Sequence, residues 1–598
     1  MKHLRSIFTI TTLLGLFMHG FAQTLPSNRS VDWTLAGLND TSTAGFEIIA
    51  LENAGLIGDS ITPNDSVMDS LLNLSYSPGV IFQFPEGNFL FNQSIQLQSN
   101  KIIKGAGPDT TQLIFDQGGN GHSIRIQGSA TNIISDFSAA AAKGDQEITL
   151  TDASAFTAGD WIHISQNDSD WVTSSWAEGT VGQVVKIESV QNNTLTLASP
   201  LRMDYDILRN PRVKKLNMVR NVGIECLKIL RLDNTAPQQS SNIIFSYAEN
   251  CWVNGIESEN CTFSHMESNY SSNLTLSKSY FHHGFEYGGG GRAYGLVWHF
   301  TSNECLAEDN IFEHLRHSIL LQAGANGNVA AFNYSFDPYW EIGNPPVGGD
   351  YAGELVLHGN YVYANLFEQN ICQNIVIDNS HGANGPYNTF LRNRANKYGI
   401  FFSDNTSPRQ NFLGNEVTNE NTPYSLVNYN LQGTDHFIYG NNNKGSIDPP
   451  GTDSLADISY AYTSRPDFVS SDQWGKIGPP NAINSSDIPA RIRNNSGALF
   501  STTCGNAPPP DEDTVSVRTI DDPEFILYPN PAKDQIHIQA PDEYSESPFR
   551  VFELTGKTVL SGKLHVSLTS LDLSGLSPGL YFVNIAAEEN YTFKVVKK

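Results

Sequence analysis

Apolar and polar residues alternate in short runs over most of the chain, and turn residues separate the runs. Residues 78–115 show the pattern: a run from Val80 to Phe84 ends at Pro-Glu-Gly, and a second run ends at Gly-Ala-Gly. Alternation with a period of two predicts strands, and Gly and Pro predict the turns between them. A short helix is expected from Asp65 to Leu72, just before the first strands. The pattern predicts an all-β chain.

The middle of the chain is a repeat. An apolar residue three positions before an asparagine recurs at Asn310, Asn333, Asn370, Asn393 and Asn415. The steps of 23, 37, 23 and 22 residues fit one coil of a solenoid each, with a loop at 337–353 inserted in the long step. Asparagines stacked in this way bond to one another and to the backbone. We therefore expect them to be structural.

The short helix and the strands after it resemble the N-terminal cap and first coils of the pectate-lyase-like right-handed parallel β-helix superfamily. The resemblance implies a right-handed parallel β-helix of about a dozen coils over residues 23–504. It implies no single chemistry, because the superfamily holds lyases, hydrolases, esterases, epimerases and phage tailspikes.

Residues 143–200 interrupt the repeat and predict a small antiparallel β-insert. The insert is expected to pack beside the groove of the β-helix. It carries Trp171 and Trp176 as candidate sugar-stacking aromatics, and ordinary core or surface tryptophans are the alternative.

The N-terminus carries a targeting signal, and a linker follows the repeat. Residues 1–22 predict a secretory signal peptide: Lys2 and Arg5 precede an apolar run too short for a membrane span, and small residues precede Gln23. A short buried helix is the alternative. Residues 505–523 contain three consecutive prolines and an acidic run, so they predict a linker.

The last segment, 524–598, alternates like the strands of a small β-sandwich. It resembles the C-terminal sorting domain of type IX secretion, and the matching runs are Tyr528-Pro529-Asn530-Pro531-Ala532, Leu554-Thr555-Gly556-Lys557, Leu573 to Tyr581 and the basic end Lys594 to Lys598. The resemblance implies that the type IX machinery carries the protein across an outer membrane, and that this domain is then removed. A sugar-binding module is the alternative.

Charge and cysteine content argue against several classes of protein. The net charge of −26 argues against broad binding to nucleic acid or anionic membranes. The six cysteines form no CxxC pair, which predicts neither a disulfide-rich scaffold nor a zinc site. Cys226 and Cys251 are expected to stack as small apolar residues. No later stretch approaches about 18 apolar residues, so we expect no transmembrane segment. The predicted signal peptide and the resemblance to a sorting domain imply an extracellular or cell-surface protein, and we expect a monomer.

Histidine is concentrated in one window and follows a register. Seven of the 15 histidines lie within residues 282–381. Five inward-facing apolar pairs are expected one coil apart: Leu296 and Trp298, Ile319 and Leu321, Leu355 and Leu357, Ile375 and Ile377, Ile400 and Phe402. The next residue on each strand faces outwards, and its copies stack about 4.8 Å apart. This predicts an outward column of His299, Gln322, His358, Asp378 and Ser403. A solvated polar edge of a sheet is the alternative.

Two reactions are compatible with the residues of this column. Uronate β-elimination needs a base for the C5 proton and positive charge beside the carboxylate. The catalytic candidates are His358, Asp378, His381, His317 and His299. The substrate-binding candidates are Arg292, Arg316, Gln322, Arg392, Arg394 and Glu354. An ion pair of Arg394 with Glu416, or of Arg316 with Glu313, is the structural alternative. No metal ligands are assigned, and Ca²⁺ held by aspartate is the one cofactor considered.

Glycoside hydrolysis instead needs two carboxylates about 5–10 Å apart. Asp378 with Glu354, Asp350 or Asp404 qualifies in sequence. Histidine and arginine outnumber paired carboxylates in the predicted groove, so the preferred hypothesis is a secreted lyase that acts on an extracellular uronate-containing polysaccharide. A glycoside hydrolase and a non-catalytic glycan-binding or adhesin β-helix remain the alternatives.

Overall fold

The computed structural model describes residues 24–39, 43–119, 121–232, 239–341, 352–419, 429–456, 458–501, 504, 526–530, 532–540, 544–553, 557–565, 568–586 and 590–598. The predicted signal peptide, the predicted linker and Asp350 lie outside these residues. The chain divides into two compact units, Met1–Asn506 and Ala507–Lys598.

The first unit is a right-handed parallel β-helix, as predicted, and its strands form three ladders. The first ladder has twelve strands: Glu47–Ala50, Val80–Gln83, Lys101–Lys104, Gly223–Glu225, Trp252–Asn254, Thr275–Ser277, Leu306–Glu308, Val329–Ala331, Leu366–Glu368, Thr389–Leu391, Asn411–Leu413 and Phe437–Tyr439. Each strand of this ladder opens one coil, which gives the predicted dozen.

The second ladder follows the first in each coil. Its strands are Asp59–Pro63, Gly87–Phe91, Thr111–Phe115, Lys228–Arg231, Glu257–Glu259, Tyr280–His282, Ile311–Glu313, Tyr334–Phe336, the starts of Ile371–Asp378 and Arg394–Phe402, Glu416–Val417 and Asn441–Asn443. Ser446–Asp448 pairs antiparallel with the last of them.

The third ladder completes the second to the eleventh coil and carries the predicted column. Its strands are Ile95–Leu97, Ile124–Gln127, Ile243–Ser246, Ser264–Asn269, Tyr294–His299, His317–Leu321, Leu355–His358, the ends of Ile371–Asp378 and Arg394–Phe402, and Tyr429–Asn430. Val219–Arg220 and Ala248–Glu249 form a short parallel pair at a corner.

Helices are few. The described residues form two α-helices, Asp65–Leu72, with the predicted bounds, and Pro489–Ser496. Five single turns of 3₁₀-helix are Ser27–Arg29, Trp33–Leu35, Leu51–Ala54, Ser175–Ala177 and Ile207–Arg209. No helix of the described residues is long and apolar enough to cross a membrane.

Inward-facing side chains fill the interior of the β-helix in layers. Phe367, Phe390 and Phe412 stack with ring centroids 4.9 and 5.1 Å apart. Next to them runs the predicted asparagine ladder, in which the Oδ1 of each asparagine accepts the backbone N–H and the Nδ2 of the asparagine one coil before it. It runs from Asn310 through Asn333, Asn370, Asn393 and Asn415 to Asn441. The prediction that these residues are structural is confirmed.

The insert is a six-stranded antiparallel sheet that leaves the β-helix after Ile124–Gln127 and returns at the fourth coil. Its strands, in sheet order, are Glu147–Thr149, Thr194–Leu197, Gly182–Gln191, Trp161–Ser165, Arg212–Asn217 and Ser129–Asp136. It has its own apolar core. It is wider than the predicted 143–200, because strands on either side of that range complete the sheet.

A disulfide closes the first unit. Cys226, in the fourth coil, is bonded to Cys504, 278 residues later. The expected stacking of Cys226 with Cys251 is therefore wrong. Cys251, Cys261, Cys305 and Cys372 are buried free thiols.

Replacing Cys504 with serine should lower the free energy of unfolding by about 2–4 kcal/mol, because a cross-link over a long loop restricts the unfolded chain. Urea unfolding followed by circular dichroism measures the loss. Cys226→Ser and the double variant should show the same loss, since each removes the same bond. Additive losses would mean that the cysteines contribute through packing instead.

The second unit is a small β-sandwich. One sheet contains Ile526–Tyr528, Gln535–Gln539 and Thr569–Asp572, and the other contains Thr558–Lys563, Pro548–Glu553, Gly579–Ala586 and Asn590–Lys597. Buried Ile536, Val551 and Val583 belong to the apolar core between them. The predicted motif residues Pro531 and Leu554 to Gly556 lie outside the described residues.

Candidate functional site

The outward column on the third ladder has the predicted register. The strands Leu355–His358 and Ile371–Asp378 are parallel neighbours in which His358 lies opposite Asp378. Nδ1 of His358 is 2.6 Å from Oδ2 of Asp378. A carboxylate at this distance favours the imidazole tautomer with its proton on Nδ1, which leaves the lone pair on Nε2.

Asp378 is held as an ionised carboxylate. Its oxygens also accept hydrogen bonds from the hydroxyl and the backbone N–H of Ser380, at 2.6 and 3.2 Å. Burial by itself would raise the pKa of Asp378, but the contacts with His358 and Ser380 outweigh burial and lower the pKa well below its ordinary value.

Asp378→Asn should lower the free energy of unfolding at neutral pH, and by less at about pH 3. Folding lowers the pKa of this carboxyl, so the ionised group stabilises the folded state above its ordinary pKa of 3.8. That contribution is lost as the pH falls through the lowered value. Urea unfolding of both proteins at the two pH values measures the difference, with Asp69→Asn on the exposed side of the first helix as control. A difference that grows on acidification would contradict the assignment.

Two further histidines flank His358. The rings of His317 and His381 lie with centroids 5.7 and 5.0 Å from that of His358. Nδ1 of His317 donates to the carbonyl of Gly353 at 2.6 Å. Burial, together with Arg316 and His358, lowers the pKa of His317 to about 3, so the ring is neutral and its Nε2 is a buried acceptor. Burial and His358 also lower the pKa of His381.

Two cavities meet at His358. The polar cavity, about 620 Å³, is lined by His358, Arg316, Ser380 and, among others, Glu267, His299, Gln322, Tyr294, Trp176 and His381. The apolar cavity, about 490 Å³, shares His358, Arg316 and Ser380 and adds Asp378, Trp340, Val356, Val376, Phe401, Phe402 and Ser403. Because the cavities follow one ladder of strands, they form a groove along the β-helix with the His358–Asp378 pair at its centre.

Arg316 supplies positive charge at the junction of the two cavities. Its guanidinium donates to the carbonyl of Gly288 at 2.6 Å and lies over the rings of Tyr294 and Trp340, 5.8 and 5.7 Å from their centroids. The alternative pairing with Glu313 does not form, and that carboxylate accepts from the hydroxyl of Tyr280. Burial raises the pKa of Tyr294, so its hydroxyl is protonated at neutral pH.

The polar end of the groove is held by a chain of contacts. Nε2 of His299 is 2.9 Å from Oε1 of Gln322, and Nε2 of Gln322 donates to the carbonyl of His358. Nδ1 of His299 lies 3.8 Å from Glu267. Burial would raise the pKa of Glu267, but the contact with His299 outweighs burial and lowers it. His299 is thus placed to orient or bind, since Gln322 occupies its Nε2.

The insert forms one wall of the polar cavity. Trp176 is 47 % exposed and meets Phe300 and His381 edge to face, at 5.8 and 5.7 Å. Trp171 has both faces covered, by Tyr361 at 4.7 Å and by Arg209 at 4.1 Å. Of the two tryptophans, Trp176 has the free surface that a sugar ring requires.

Trp176→Ala should raise KM for a polymeric substrate about 2–10-fold and leave kcat nearly unchanged, because an aromatic contact contributes roughly 0.5–1.5 kcal/mol to binding. Initial rates over a range of polymer concentrations give both constants. Trp176→Phe keeps a ring in place and should recover most of the loss. A fall in kcat alone would place Trp176 with the reacting groups instead.

Three predicted substrate-binding arginines lie away from the groove. Arg392 is buried and donates to the carbonyls of Leu455, Ile477 and Pro479. Arg394 is buried and its Nε is 2.6 Å from Glu416, so the structural alternative is the correct one. Arg292 pairs with Glu286 at the surface, outside the lining of both cavities.

Glu354, a fourth predicted substrate-binding residue, also lies away from the groove. It is fully buried, and it accepts from the hydroxyl of Ser335 and the backbone N–H groups of Gln373 and Asn374. Burial raises its pKa to about 7. It supports the strands beneath the groove and does not line either cavity.

Sequence reasoning missed Tyr294, Trp340 and Glu267. An aromatic residue at the start of an apolar strand is typical of a core position, and Tyr294 does pack on Phe263. Glu267 could have been predicted from the sequence, because it lies on the strand that precedes Tyr294–His299 in the third ladder.

Of the other histidines of the window, His282 ends a second-ladder strand, and His283 and His314 directly follow strands of that ladder. Glu257, Glu259 and His282 have ligand atoms close enough together to hold a metal ion. Nζ of Lys228, however, lies 2.6 Å from Glu257 and 2.5 Å from Glu259, so an ammonium already neutralises the two carboxylates. This cluster is better explained as a surface ion-pair network.

Comparison with known proteins identifies the second unit. Residues 526–598 match the family described as secretion system C-terminal sorting domain. The protein is therefore exported by type IX secretion to the cell surface or the extracellular space. No curated protein sequence matches the chain.

Several solved structures resemble the first unit. The tailspike protein gp49 from Pseudomonas phage LKA1 is 14 % identical, with 66 % of this chain and 75 % of that chain covered and a TM-score of 0.46. The A-module of the Azotobacter vinelandii mannuronan C-5 epimerase AlgE4 is 10 % identical, with 68 % and 93 % covered and a TM-score of 0.33. The Streptococcus pneumoniae surface protein and adhesin PfbA is 8 % identical, with 66 % and 98 % covered and a TM-score of 0.29.

Proposed function

We propose that this protein is a secreted lyase that cleaves a uronate-containing polysaccharide by β-elimination. The observation that carries the proposal is the His358–Asp378 pair at the centre of an open groove, with the Arg316 guanidinium beside it. A linear polymer fits a groove that continues on both sides of the reacting groups.

Each group has a role in the proposed reaction. Nε2 of His358 takes the proton from C5 of the uronate, while Arg316 stabilises the negative charge that develops on the carboxylate. The C5–H electron pair becomes the C4–C5 double bond as the bond from C4 to the glycosidic oxygen breaks. The Tyr294 hydroxyl gives its proton to the leaving oxygen, and the proton on His358 then restores the phenol.

The carboxylates support elimination over hydrolysis. A glycosidase needs two carboxyl groups about 5–10 Å apart, one of them a protonated acid with a raised pKa. Among the residues that the structure describes, the carboxylates that line the cavities are Glu267 and Asp378, and their strands are four steps apart in the third ladder, about 19 Å. Both have a lowered pKa. Asp404 accepts from Asn379 and Thr406 and lies outside the lining of both cavities.

A panel of uronate-containing and neutral polysaccharides tests the proposal. We expect ultraviolet absorbance from unsaturated products to rise together with new reducing ends, with and without chelator. Reducing ends without absorbance would overturn elimination in favour of hydrolysis. Binding without either signal would make the protein a glycan-binding β-helix.

A further inference from the structure

The two cavities that meet at His358 differ in chemistry. Both cavities have aromatic walls, and the polar cavity adds hydrogen-bonding side chains such as Glu267, Gln322 and His299. The apolar cavity has a polar rim, but its floor is built from Val356, Val376 and Phe401. A groove that bound the same kind of sugar unit on both sides of the cleaved bond would not need this difference.

The apolar floor follows from the strand register. Val356, Val376 and Phe401 occupy equivalent positions on three successive strands of the third ladder. Their neighbours on either side along each strand belong to the main core, whereas these three do not. Alternation therefore points them outwards, at a spacing of about 4.8 Å, where a solvated sheet would carry polar residues.

Neighbouring groups pack closely on this floor. A Cβ added to Gly353 would lie 2.7 Å from Val356 and 3.0 Å from Val376, so the chain at Gly353 packs directly on both valines. Trp340 lines the same cavity and lies under the Arg316 guanidinium. Val356 is 1 % exposed and Phe401 is 6 % exposed, while Val376 keeps accessible surface.

We infer that the apolar cavity is a subsite for a sugar unit that carries a methyl-bearing substituent, next to the bond that is cleaved. The substituent is an O-acetyl group or the methyl of a 6-deoxy sugar, since both present a methyl group on an otherwise hydroxylated ring. This inference rests on the proposed function and names the substrate class more narrowly: an acidic polysaccharide with apolar decoration.

The affinity gain follows from the buried area. Burying one methyl group contributes about 0.8 kcal/mol, which is roughly a fourfold gain in affinity. The gain should depend on Val376, because it is the floor residue with accessible surface. Val376→Thr has nearly the same shape, and its hydroxyl faces the cavity, so the variant should fold and lose the preference.

The experiment measures binding and cleavage separately. O-acetylated alginate and pectin are each compared with the same sample after alkaline removal of acetyl groups, and a rhamnogalacturonan backbone is compared with homogalacturonan. Affinities are measured on the full chain carrying Asp378→Asn, with and without Val376→Thr. Val190→Thr, a half-buried valine of the insert outside the groove, is the matched control.

We expect about fourfold tighter binding of the acetylated or the 6-deoxy member of at least one pair. Val376→Thr should abolish that preference, and Val190→Thr should keep it. Equal affinities within every pair, or a preference that survives Val376→Thr, would overturn the inference.

Cleavage by the wild type without any preference would overturn the inference alone. A preference without cleavage would overturn the proposed reaction alone. No binding to any sample would overturn both.

Discussion

His358→Ala lowers kcat on the polysaccharide substrate about 10²–10⁴-fold, the usual contribution of a positioned general base. The imidazole is the group whose Nε2 lone pair is free to take the C5 proton, because Asp378 occupies Nδ1 at 2.6 Å. KM should change little, since Arg316 and the cavity walls bind the sugar. Initial rates followed by ultraviolet absorbance measure both constants.

The control is His283→Ala, at an exposed histidine that directly follows a second-ladder strand, and this variant should retain full activity. Asp378→Asn should lower kcat and change the pH profile, because a neutral amide no longer favours the proton on Nδ1. More than a tenth of the wild-type rate in His358→Ala would contradict the assignment of His358 as the base.

Asn370→Leu should lower the free energy of unfolding by about 3–5 kcal/mol, because burying unpaired polar groups costs roughly 1–3 kcal/mol each. Asn370 donates to the carbonyl of Ala330 and to Asn393, and it accepts from the backbone and the side chain of Asn333. Leucine has a similar size but satisfies none of these groups. Urea unfolding of the full chain, followed by circular dichroism, measures the loss.

Asn88→Leu is the matched control, the same substitution at an exposed position of a ladder strand, and it should change stability by less than about 0.5 kcal/mol. A loss at Asn370 no larger than at Asn88 would mean that the asparagine ladder contributes nothing to stability.

The column on the third ladder could be predicted because a parallel solenoid repeats one register. The pair Leu355 and Leu357 recurs as Ile375 and Ile377, so the next residues, His358 and Asp378, must face the same way and lie on neighbouring strands. The same argument gave the asparagine ladder. Two regularities are enough to place these side chains: side chains alternate along each strand, and equivalent positions recur one coil apart.

The errors arise at the corners of the coil. Each coil has three faces, and periodicity along one ladder does not say on which face a residue a few positions away lies. Arg392 and Arg394 follow Asp378 by less than one coil in sequence, but Arg394 begins a second-ladder strand, where it pairs with Glu416, and Arg392 lies at the corner before that strand. Glu354 directly precedes a third-ladder strand, but its side chain accepts a hydrogen bond from Ser335 on the second ladder. Its side chain therefore points into the interior of the β-helix.

Contacts between segments that are far apart in sequence could not be predicted, because they leave no periodic pattern in the sequence. Trp176 reaches the groove from an insert that leaves the β-helix five coils before His358, and Cys226 pairs with a cysteine 278 residues away. Neither contact repeats, so neither has the periodicity that revealed the column.

The bond between Cys226 and Cys504 has a consequence for durability outside the cell. A protease that cuts one peptide bond anywhere between these two cysteines leaves two fragments that the disulfide still joins. The nicked molecule would migrate at its full mass on a non-reducing gel and separate only after reduction. Since the groove residues His299 to Asp378 all lie inside this covalent loop, a single cut within the loop leaves them joined in one particle.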